Sequence, residues 1–240
     1  MNVLLTGYKG FIGTQLTKRL QELKFNVIGI DLVDGNDLLD CELPDPGTID
    51  FVIHLAGKSG VRKSLADPSG YWMNNVEDSR RLFDKYRGKR ILYASSSSQY
   101  EPHLNPYAAS KHCLEYLGSC YPMTLGMRFH TVYSDIPREG MFFDKLKKGT
   151  LEYVTNHTRD FIHMEDCLDA IQLLVYNPEV IGVIDIGTGH SIRVRDLAPE
   201  ELPVKLYTPH ERQNTLADIT KMKKLGFKPK HISPRIEIIK

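Results

Sequence analysis

The sequence lacks any concentration of charge, any long apolar run and any metal-ligand spacing of cysteine. Across 240 residues, 31 lysines and arginines stand against 30 acids, which gives a formal net charge of +1. Nucleic-acid-binding surfaces are built from basic patches, so we expect no nucleic-acid partner. The four cysteines have no spacing typical of a metal site, so no metal is predicted. They also fit a reducing compartment.

The first apolar run is short because Gly7, Lys9 and Gly10 interrupt it, and no basic leader precedes it. A signal peptide or a membrane-spanning helix needs a longer uninterrupted apolar stretch. We therefore expect a cytoplasmic protein with no membrane partner. The hydrophobic content of 41% and the charged content of 25% are ordinary for a soluble globular protein.

Short β-branched runs alternate with longer segments of helical periodicity in the first half of the chain. Strands are predicted at residues 3–6, 26–30, 50–55, 90–95 and 124–129. This alternation indicates an α/β fold with a doubly wound parallel sheet. Beyond residue 128 the pattern is less regular, with helices predicted at 140–148 and 164–176, a strand at 183–186 and a linker-like stretch at 196–209.

The segment TGYKGFIG, residues 6–13, follows an apolar strand-like run and precedes a helical one. In a dinucleotide-binding turn the first glycine permits the tight turn, the second lets the backbone approach a pyrophosphate, and the third lets helix and strand pack closely. Gly7, Gly10 and Gly13 suit these roles. The helix that follows would direct the positive end of its dipole at the phosphates.

Asp31 ends the second predicted strand, 24 positions after Gly7. A carboxylate there accepts hydrogen bonds from both ribose hydroxyls of the adenosine and repels a 2′-phosphate, so NAD is favoured over NADP as the cofactor. The alternative role for Asp31 is that of a strand-ending turn residue. Lys9, inside the glycine-rich turn, could meet a 2′-phosphate or be a solvated loop lysine.

Two further segments predict catalytic groups. In YAASK, Tyr107 and Lys111 lie at i and i+4, so a helix starting just after Asn105 places both on one face, where the ammonium can lower the pKa of the phenol. In YASSSS, Ser96 follows an apolar strand and so reaches the carboxyl end of the sheet, where such folds bind ligands. A polar strand-to-loop run is the alternative interpretation of Ser96.

With these residues in view, the chain resembles the extended short-chain dehydrogenase/reductase family of NAD-dependent nucleotide-sugar epimerases and dehydratases. The family's other signatures resemble HLAGKSGVRKSLADP (54–68), WMNNV (72–76), RDFIHMEDCLDAI (159–171), IDIGTGHSIRVRDLA (184–198) and TLADITKMKKLGFKP (215–229). Within the family, GVRKS and MRFHTVYSDIPREGM (127–141) are most similar to the UDP-glucuronate 4-epimerase branch.

The resemblance implies a Rossmann fold that binds NAD and a small C-terminal cap that binds the substrate. The predicted NAD-binding domain comprises residues 1–127 and 159–187, and the predicted cap comprises 128–158 and 188–240. The implied reaction is epimerisation at C4 of a nucleotide sugar through a 4-keto intermediate, on a UDP-sugar such as UDP-glucuronate. A homodimer is expected, in which helices around residues 75–86 and 107–117 pair across a two-fold axis.

The resemblance also assigns individual roles. The implied catalytic residues are Ser96, Tyr107 and Lys111. The implied contacts to NAD are Gly7, Gly10, Phe11, Ile12, Gly13, Asp31, Leu55, Ala56, Gly57, Asn75, Tyr107 and Lys111. The implied substrate contacts are Arg62, Ser97, Thr131, Arg138 and Arg159. Arg159 is expected at the diphosphate, which a guanidinium can bind in a bidentate manner.

Some positions depart from the family pattern. Only ten residues separate Ser96 from Tyr107, which shortens a loop that normally lies over the active site, and Thr208 stands where an arginine is usual. Ser97 and Ser98 occupy the positions of the acid and base that a dehydratase needs. A 4,6-dehydratase or 4-ketoreductase is therefore the second enzymatic candidate, and a non-catalytic protein that binds NAD or nucleotide sugars is the alternative from another class.

Overall fold

A mostly parallel six-stranded sheet is the main feature of a computed structural model that describes residues 1–234. In this part of the chain the strands are β1 (Asn2–Thr6), β2 (Asn26–Ile30), β3 (Phe51–His54), β4 (Arg90–Ser96), β5 (Thr124–Phe129), β6 (Thr131–Tyr133), β7 (Val154–Thr155), β8 (Thr158–His163), β9 (Gly182–Ile186), β10 (Ser191–Arg193) and β11 (Val204–Lys205). The α-helices are α1 (Phe11–Glu22), α2 (Val61–Ala66), α3 (Pro68–Trp72), α4 (Asp78–Lys85), α5 (Pro106–Ser119), α6 (Phe142–Lys147), α7 (Met164–Tyr176) and α8 (Thr220–Lys224). A π-helical segment, Met73–Glu77, lies between α3 and α4.

The described chain divides into two compact units. The first comprises Met1–Arg128 and Leu174–Ile184, and the second comprises Phe129–Leu173 and the residues from Asp185 onward. These limits differ from the predicted domains at 159–173, where β8 pairs with β6 and β10 in a separate sheet, and also at residues 128 and 185–187. The predicted functional domains stay a prediction.

The strands of the six-stranded sheet have the order β2-β1-β3-β4-β5-β9. Strand β1 pairs in parallel with both β2 and β3, and β3 pairs in parallel with β4. In this register Thr6 lies opposite both Ile30 and His54, and His54 lies opposite Tyr93. The carboxyl ends of four strands therefore meet at one edge of the sheet, where such folds bind their ligands.

Apolar side chains explain why these segments fold as they do. Strands β1 and β3 are buried almost throughout, as expected of parallel strands covered on both faces. Helix α1 buries Gly13, Leu16 and Leu20, which recur at helical spacing on one face. Helix α5 begins at Pro106, and the side chain of Asn105 caps it by accepting a hydrogen bond from Ala108 N at 2.8 Å.

The second unit contains two small sheets. Strand β8 lies between β6, which is parallel to it, and β10, which is antiparallel, while β11 pairs with β7. Tyr133, Phe143 and Phe161 pack with Val194 and Leu197 to form a core of its own. Strand β11 lies within residues 196–209, so the prediction of a linker there was wrong, because backbone pairing with β7 orders part of that stretch.

Several elements of the second half were missing from the sequence prediction. The helices at Phe142–Lys147 and Met164–Tyr176 and the strand at Gly182–Ile186 lie where they were expected. Strands β6, β8 and β10 were not predicted, because each is short or mixes charged and apolar residues. Among residues 1–234, no helix is both long enough and apolar enough to span a bilayer.

Candidate active site

The glycine-rich turn joins β1 to α1 and leaves the N-terminus of that helix uncapped by any described side chain. Gly7 has φ +70°, and a Cβ there would lie 2.6 Å from the Ala56 nitrogen. A Cβ on Gly13 would lie 2.0 Å from the Gly7 carbonyl oxygen, so only glycine permits this packing of helix on turn. The first-turn N–H groups of α1, including those of Phe11 and Ile12, are therefore suited to bind a pyrophosphate.

Asp31 follows β2, and its side chain is hydrogen-bonded to the backbone of the glycine-rich turn. Its carboxylate accepts hydrogen bonds from the backbone nitrogens of Lys9 at 2.9 Å and Val33 at 3.0 Å. Asp31 therefore has the turn role that the sequence left open. Carboxylate oxygens have several lone pairs, so these two bonds leave acceptor capacity for ribose hydroxyls.

The residues after β3 bring the turn close to Asn75 and Lys111. Leu55 N donates to the Thr6 carbonyl oxygen at 3.0 Å, and Ala56 N donates to the Thr6 hydroxyl at 3.3 Å. A Cβ on Gly57 would lie 3.0 Å from Asn75 Oδ1 and 3.2 Å from Lys111 Nζ. Asn75 is 1% exposed, and its Oδ1 has no hydrogen-bond partner among the described residues. Such an orphaned acceptor fits a ligand that supplies a donor.

A chain of buried hydrogen bonds connects β1 with the segment that contains Asn75. Ser79 donates its single hydroxyl proton to the Asn75 carbonyl oxygen at 2.8 Å, so its oxygen accepts the bond from His54 Nε2 at 2.8 Å. His54 Nδ1 then accepts from the Thr6 hydroxyl at 2.6 Å. Burial lowers the pKa of His54 to about 3, so the ring is neutral with its proton on Nε2. Neither His54 nor Ser79 was singled out from the sequence.

The same chain of hydrogen bonds continues to helix α5, which contains the predicted catalytic residues Tyr107 and Lys111. Asn75 Nδ2 donates to the Lys58 carbonyl oxygen at 3.0 Å and to the Ser110 hydroxyl at 2.9 Å. Ser110 in turn donates to the Tyr107 carbonyl oxygen at 2.8 Å. The start of the glycine-rich turn and the predicted catalytic tyrosine are thus linked through side chains within one unit. Ser110 was also missed, although it lies inside YAASK.

The three predicted catalytic residues lie on β4 and α5 of the first unit. Ser96 ends β4, and its hydroxyl accepts a hydrogen bond from Ser98 N at 3.1 Å. The Tyr107 ring meets the Tyr71 ring edge to face, with centroids 6.1 Å apart. Lys111, one helical turn beyond Tyr107, is 5% exposed and donates to the Ala94 carbonyl oxygen at 2.8 Å. Burial lowers the pKa of Lys111 to about 8.

The short segment between Ser96 and Tyr107 is held by hydrogen bonds to side chains of α5 and β5. Gln99 bonds to His112 on α5 at 3.1 Å, and the Tyr100 hydroxyl accepts from Arg128 at 2.9 Å. Arg128 also makes a bidentate pair with Glu115, at 2.8 and 2.7 Å. A charge-assisted pair of this geometry is among the stronger polar contacts in a protein, so the shortened segment is well anchored.

Arg159 is held by backbone carbonyls of the second unit. Its guanidinium donates to the carbonyl oxygens of Thr158 and Gln213, both at 2.9 Å, and to His157 Nδ1 at 2.8 Å. His157 Nδ1 is therefore an acceptor, and Nε2 donates to the Thr208 hydroxyl at 2.9 Å. Burial lowers the pKa of Arg159 to about 10. Thr208, which replaces an expected arginine, thus supports the ring that orients Arg159.

The other predicted substrate residues are distributed over both units. Arg62 is exposed on α2, and Ser97 is buried directly after β4. Thr131 begins β6, and Arg138 is exposed in the segment between β6 and α6. Within residues 1–234 no group of three or more histidine, cysteine, aspartate or glutamate side chains could hold a metal ion.

Asp160 connects several loops of the second unit, and the sequence pattern did not identify it. Its buried carboxylate accepts hydrogen bonds from the backbone nitrogens of Thr188, Gly189 and Ala217 at 2.8, 2.8 and 3.1 Å. One side chain therefore joins three of the motif segments, RDF, GTGH and TLAD. Removing it would leave several buried N–H groups without a partner, which is costly.

The fold and the glycine-rich turn define a class of protein, and the comparison with family models agrees with it. The chain belongs to the NAD dependent epimerase/dehydratase family, whose model matches residues 3–187. Family membership makes the protein an NAD-dependent enzyme with a Rossmann-like α/β fold, as predicted. Three features of the site fit NAD. They are the uncapped N-terminus of α1, the Asp31 carboxylate, which can accept further hydrogen bonds, and Asn75 Oδ1, which has no partner among the described residues.

The chain is also similar to individual proteins and solved structures. The uncharacterized UDP-glucose epimerase YtcB of Bacillus subtilis (strain 168) is 29% identical over 94% of this chain and 92% of its own length. The structure of MoeE5 in complex with UDP-glucose and NAD is 27% identical with a TM-score of 0.85, covering 100% of this chain and 96% of that one. UDP-glucuronic acid 4-epimerase from Bacillus cereus, in complex with UDP-glucuronic acid and NAD, is 25% identical with a TM-score of 0.82, covering 98% and 95%.

Proposed function

We propose that the protein is a nucleotide-sugar 4-epimerase that acts through a 4-keto intermediate on a UDP-sugar such as UDP-glucuronate. The observation that carries the proposal is the buried Lys111, whose pKa is lowered to about 8, one helical turn from Tyr107. A cation on the same face of the helix favours a phenolate, which is the base that oxidation of a sugar hydroxyl needs. The similarity to the Bacillus cereus 4-epimerase supports the choice of reaction.

The residues proposed to bind NAD belong to the first unit. The first turn of α1, with Gly10, Phe11, Ile12 and Gly13, would hold the pyrophosphate, and Asp31 would accept the ribose hydroxyls. Asn75 would use its orphaned Oδ1, and Gly57 lies beside it and Lys111. Leu55, Ala56 and Gly7 shape the turn around the same edge of the sheet.

Bound NAD would supply the hydride acceptor for C4 of the sugar and the hydride donor for the return step. Tyr107 removes the O4 proton as a phenolate and later gives it back, while the Lys111 ammonium stabilises that phenolate. The Ser96 hydroxyl donates a hydrogen bond to O4 as the carbonyl forms. Between the two transfers the ketone rotates, so that the opposite face is reduced and the configuration at C4 inverts.

Five residues are proposed as substrate contacts because of the resemblance to the family. For one of them, Arg159, the hydrogen bonds of the guanidinium also support the role. Three of its guanidinium hydrogen bonds go to His157, Thr158 and Gln213, which fixes the plane of the group. Its remaining N–H donors suit a diphosphate. Ser97 directly follows Ser96, and the other proposed contacts are Arg62, Thr131 and Arg138.

A 4,6-dehydratase or ketoreductase is the second enzymatic candidate. Elimination of water requires an added acid and base, and Ser97 and Ser98 supply no carboxylate at the positions after Ser96. This absence favours epimerisation. Loss of water or carbon dioxide in the product, measured by mass spectrometry, would reverse the ranking.

The proposed reaction is tested by incubating the protein, with and without added NAD, with UDP-glucuronate, UDP-glucose and UDP-N-acetylglucosamine. Proton NMR reports the configuration at C4. A galacto product from one donor supports the proposal and identifies the sugar. No product from any of them, with NAD bound, would favour another nucleotide sugar or the non-catalytic alternative.

We also propose that two copies pair through the helices around residues 75–86 and 107–117. Tyr116 on α5 is 66% exposed. Trp72 and Met73, just before residues 75–86, are 45% and 43% exposed. Large apolar side chains of this kind are common at homodimer interfaces. Light scattering of the protein, and of a Tyr116→Glu variant, would test the pairing. The cytoplasmic location stays a prediction from the sequence.

A further inference from the structure

Two consecutive residues of the glycine-rich turn bind the same carboxylate. The Tyr8 hydroxyl donates to one oxygen of Asp34 at 2.6 Å, and the Lys9 ammonium binds the other oxygen. Asp34 ends the 3₁₀ turn Leu32–Asp34, directly after Asp31. We refer to Tyr8, Lys9 and Asp34 as the acidic clamp.

The clamp is oriented by the strand beside it. The Tyr8 ring lies on Gly29 of β2, where a Cβ would come within 2.6 Å of a ring carbon. Lys9 also donates its backbone N–H to Asp31 at 2.9 Å, so its position is fixed at the main chain as well as at the ammonium. The Lys9 side chain is therefore directed toward Asp34.

The charges at this point have a consequence for the cofactor. Asp34 binds the Lys9 ammonium and Asp31 binds only the Lys9 backbone N–H, so two carboxylates stand against one ammonium and the surface beside the proposed adenosine ribose is negative overall. Binding to Lys9 and to the Tyr8 hydroxyl keeps the pKa of Asp34 below its usual range, so Asp34 is ionised at neutral pH. An ammonium freed from Asp34 would instead attract a phosphate dianion.

We propose that Asp34 is a specificity-determining residue that excludes NADP by binding the Lys9 ammonium and adding a second negative charge beside Asp31. The inference rests on the proposed NAD site and goes beyond it, because Asp34 is not among the residues assigned to that site. It also decides between the two roles considered for Lys9: the lysine is exposed, but its ammonium is paired with Asp34 and is not available to a 2′-phosphate while that pair holds.

The test measures the dissociation constants of NAD and NADP by isothermal titration calorimetry, without substrate or turnover. Asp34→Asn should tighten NADP binding about tenfold and change NAD binding by less than about threefold, since one ion pair near the surface is lost. Lys9→Met should change NADP binding little in the wild type. In the Asp34→Asn background it should abolish most of the gain, which is a non-additive result.

Glu22→Gln is the matched control, because it makes the same change in net charge at the far end of α1 and should leave both constants unchanged. Equal effects of Lys9→Met in both backgrounds, or an unchanged NADP constant in Asp34→Asn, would overturn the inference while the NAD site stands. A wild-type protein that binds neither nucleotide would overturn the proposed NAD site and the inference with it.

Discussion

The Asn75 side-chain amide donates a hydrogen bond to the Ser110 hydroxyl at 2.9 Å, and both residues are 1% exposed. This bond joins the π-helical segment Met73–Glu77 to helix α5. Because Ser110 donates its own hydrogen bond to the Tyr107 carbonyl oxygen, the backbone of the predicted catalytic tyrosine is linked through Ser110 to Asn75, in a distant part of the chain.

Ser110→Ala should therefore reduce kcat about tenfold and lower the free energy of unfolding by about 1–3 kcal/mol, since it removes a buried acceptor. Steady-state kinetics and urea unfolding measure the two effects. Ser119→Ala is the matched control, because Ser119 makes the same kind of bond, to the Tyr116 carbonyl oxygen at 2.7 Å, at the exposed end of the same helix. Equal effects of both variants would show that the link to Asn75 has no special role.

Tyr107→Phe should lower kcat by roughly 10²–10⁴-fold, the range of general acid–base catalysis, because the base is lost while the ring is kept. NAD binding should stay within a few fold of wild type. Product formation by NMR and NAD titration measure the two quantities. Near wild-type turnover together with normal NAD binding would exclude Tyr107 as the base.

Lys111→Met should stabilise the fold while abolishing activity. Burial lowers the pKa of Lys111 to about 8, below its unfolded value near 10.5, so the charged amine destabilises the folded state at neutral pH. We expect the variant to be more stable by about 1–3 kcal/mol at pH 7. Thermal unfolding at several pH values measures this.

The gain should shrink as pH rises from about 8 to 10.5, because the wild-type lysine then loses its proton and its penalty. Lys18→Met on the exposed face of α1 is the control and should show no such dependence. A gain that is constant with pH would contradict the explanation by burial.

Asp78→Asn should stabilise the protein at high pH. Burial raises the pKa of Asp78 to about 7, with a smaller contribution from Asp37, and Oδ1 has no hydrogen-bond partner among the described residues. Its folded pKa lies above the unfolded value, so its ionisation removes stability as pH rises from about 4 to 7. The variant should be more stable by about 1–3 kcal/mol at pH 8 and close to wild type at pH 4.

Asp84→Asn on the same helix should have the opposite sign. The Tyr121 hydroxyl, bonded at 2.7 Å, and nearby arginines lower the pKa of Asp84, so its charge stabilises the fold at neutral pH and that stability is lost in acid. Urea unfolding between pH 4 and 8 compares the two variants. The same trend for both would show that the local environment of Asp78 is not the cause.

The sequence predicted those parts of the molecule that depend on near neighbours. Apolar runs identify β1 to β5, and the three glycines identify the turn before α1. Asn105 and Pro106 identify the start of α5, and the i, i+4 spacing identifies Tyr107 and Lys111 as one face. Each of these depends on backbone geometry within a few residues, which local composition determines.

The missed elements depend on partners far along the chain. Strand β8 contains Arg159 and Asp160 and does not alternate, and it is a strand because Thr131–Tyr133 and Ser191–Arg193 pair with it. The linker prediction for residues 196–209 failed for the same reason, since β11 needs β7.

The sequence by itself determined the class of fold and the cofactor, and it predicted the residues that are proposed to carry the chemistry. The tertiary structure alone decided how those residues are held. It placed His54 between Thr6 and Ser79, which fixes its tautomer, and gave Asn75 an acceptor without a partner. It also paired Lys9 with Asp34 rather than with solvent. Hydrogen bonding and burial between distant segments have no local signature, because they arise only when the strands and helices have packed.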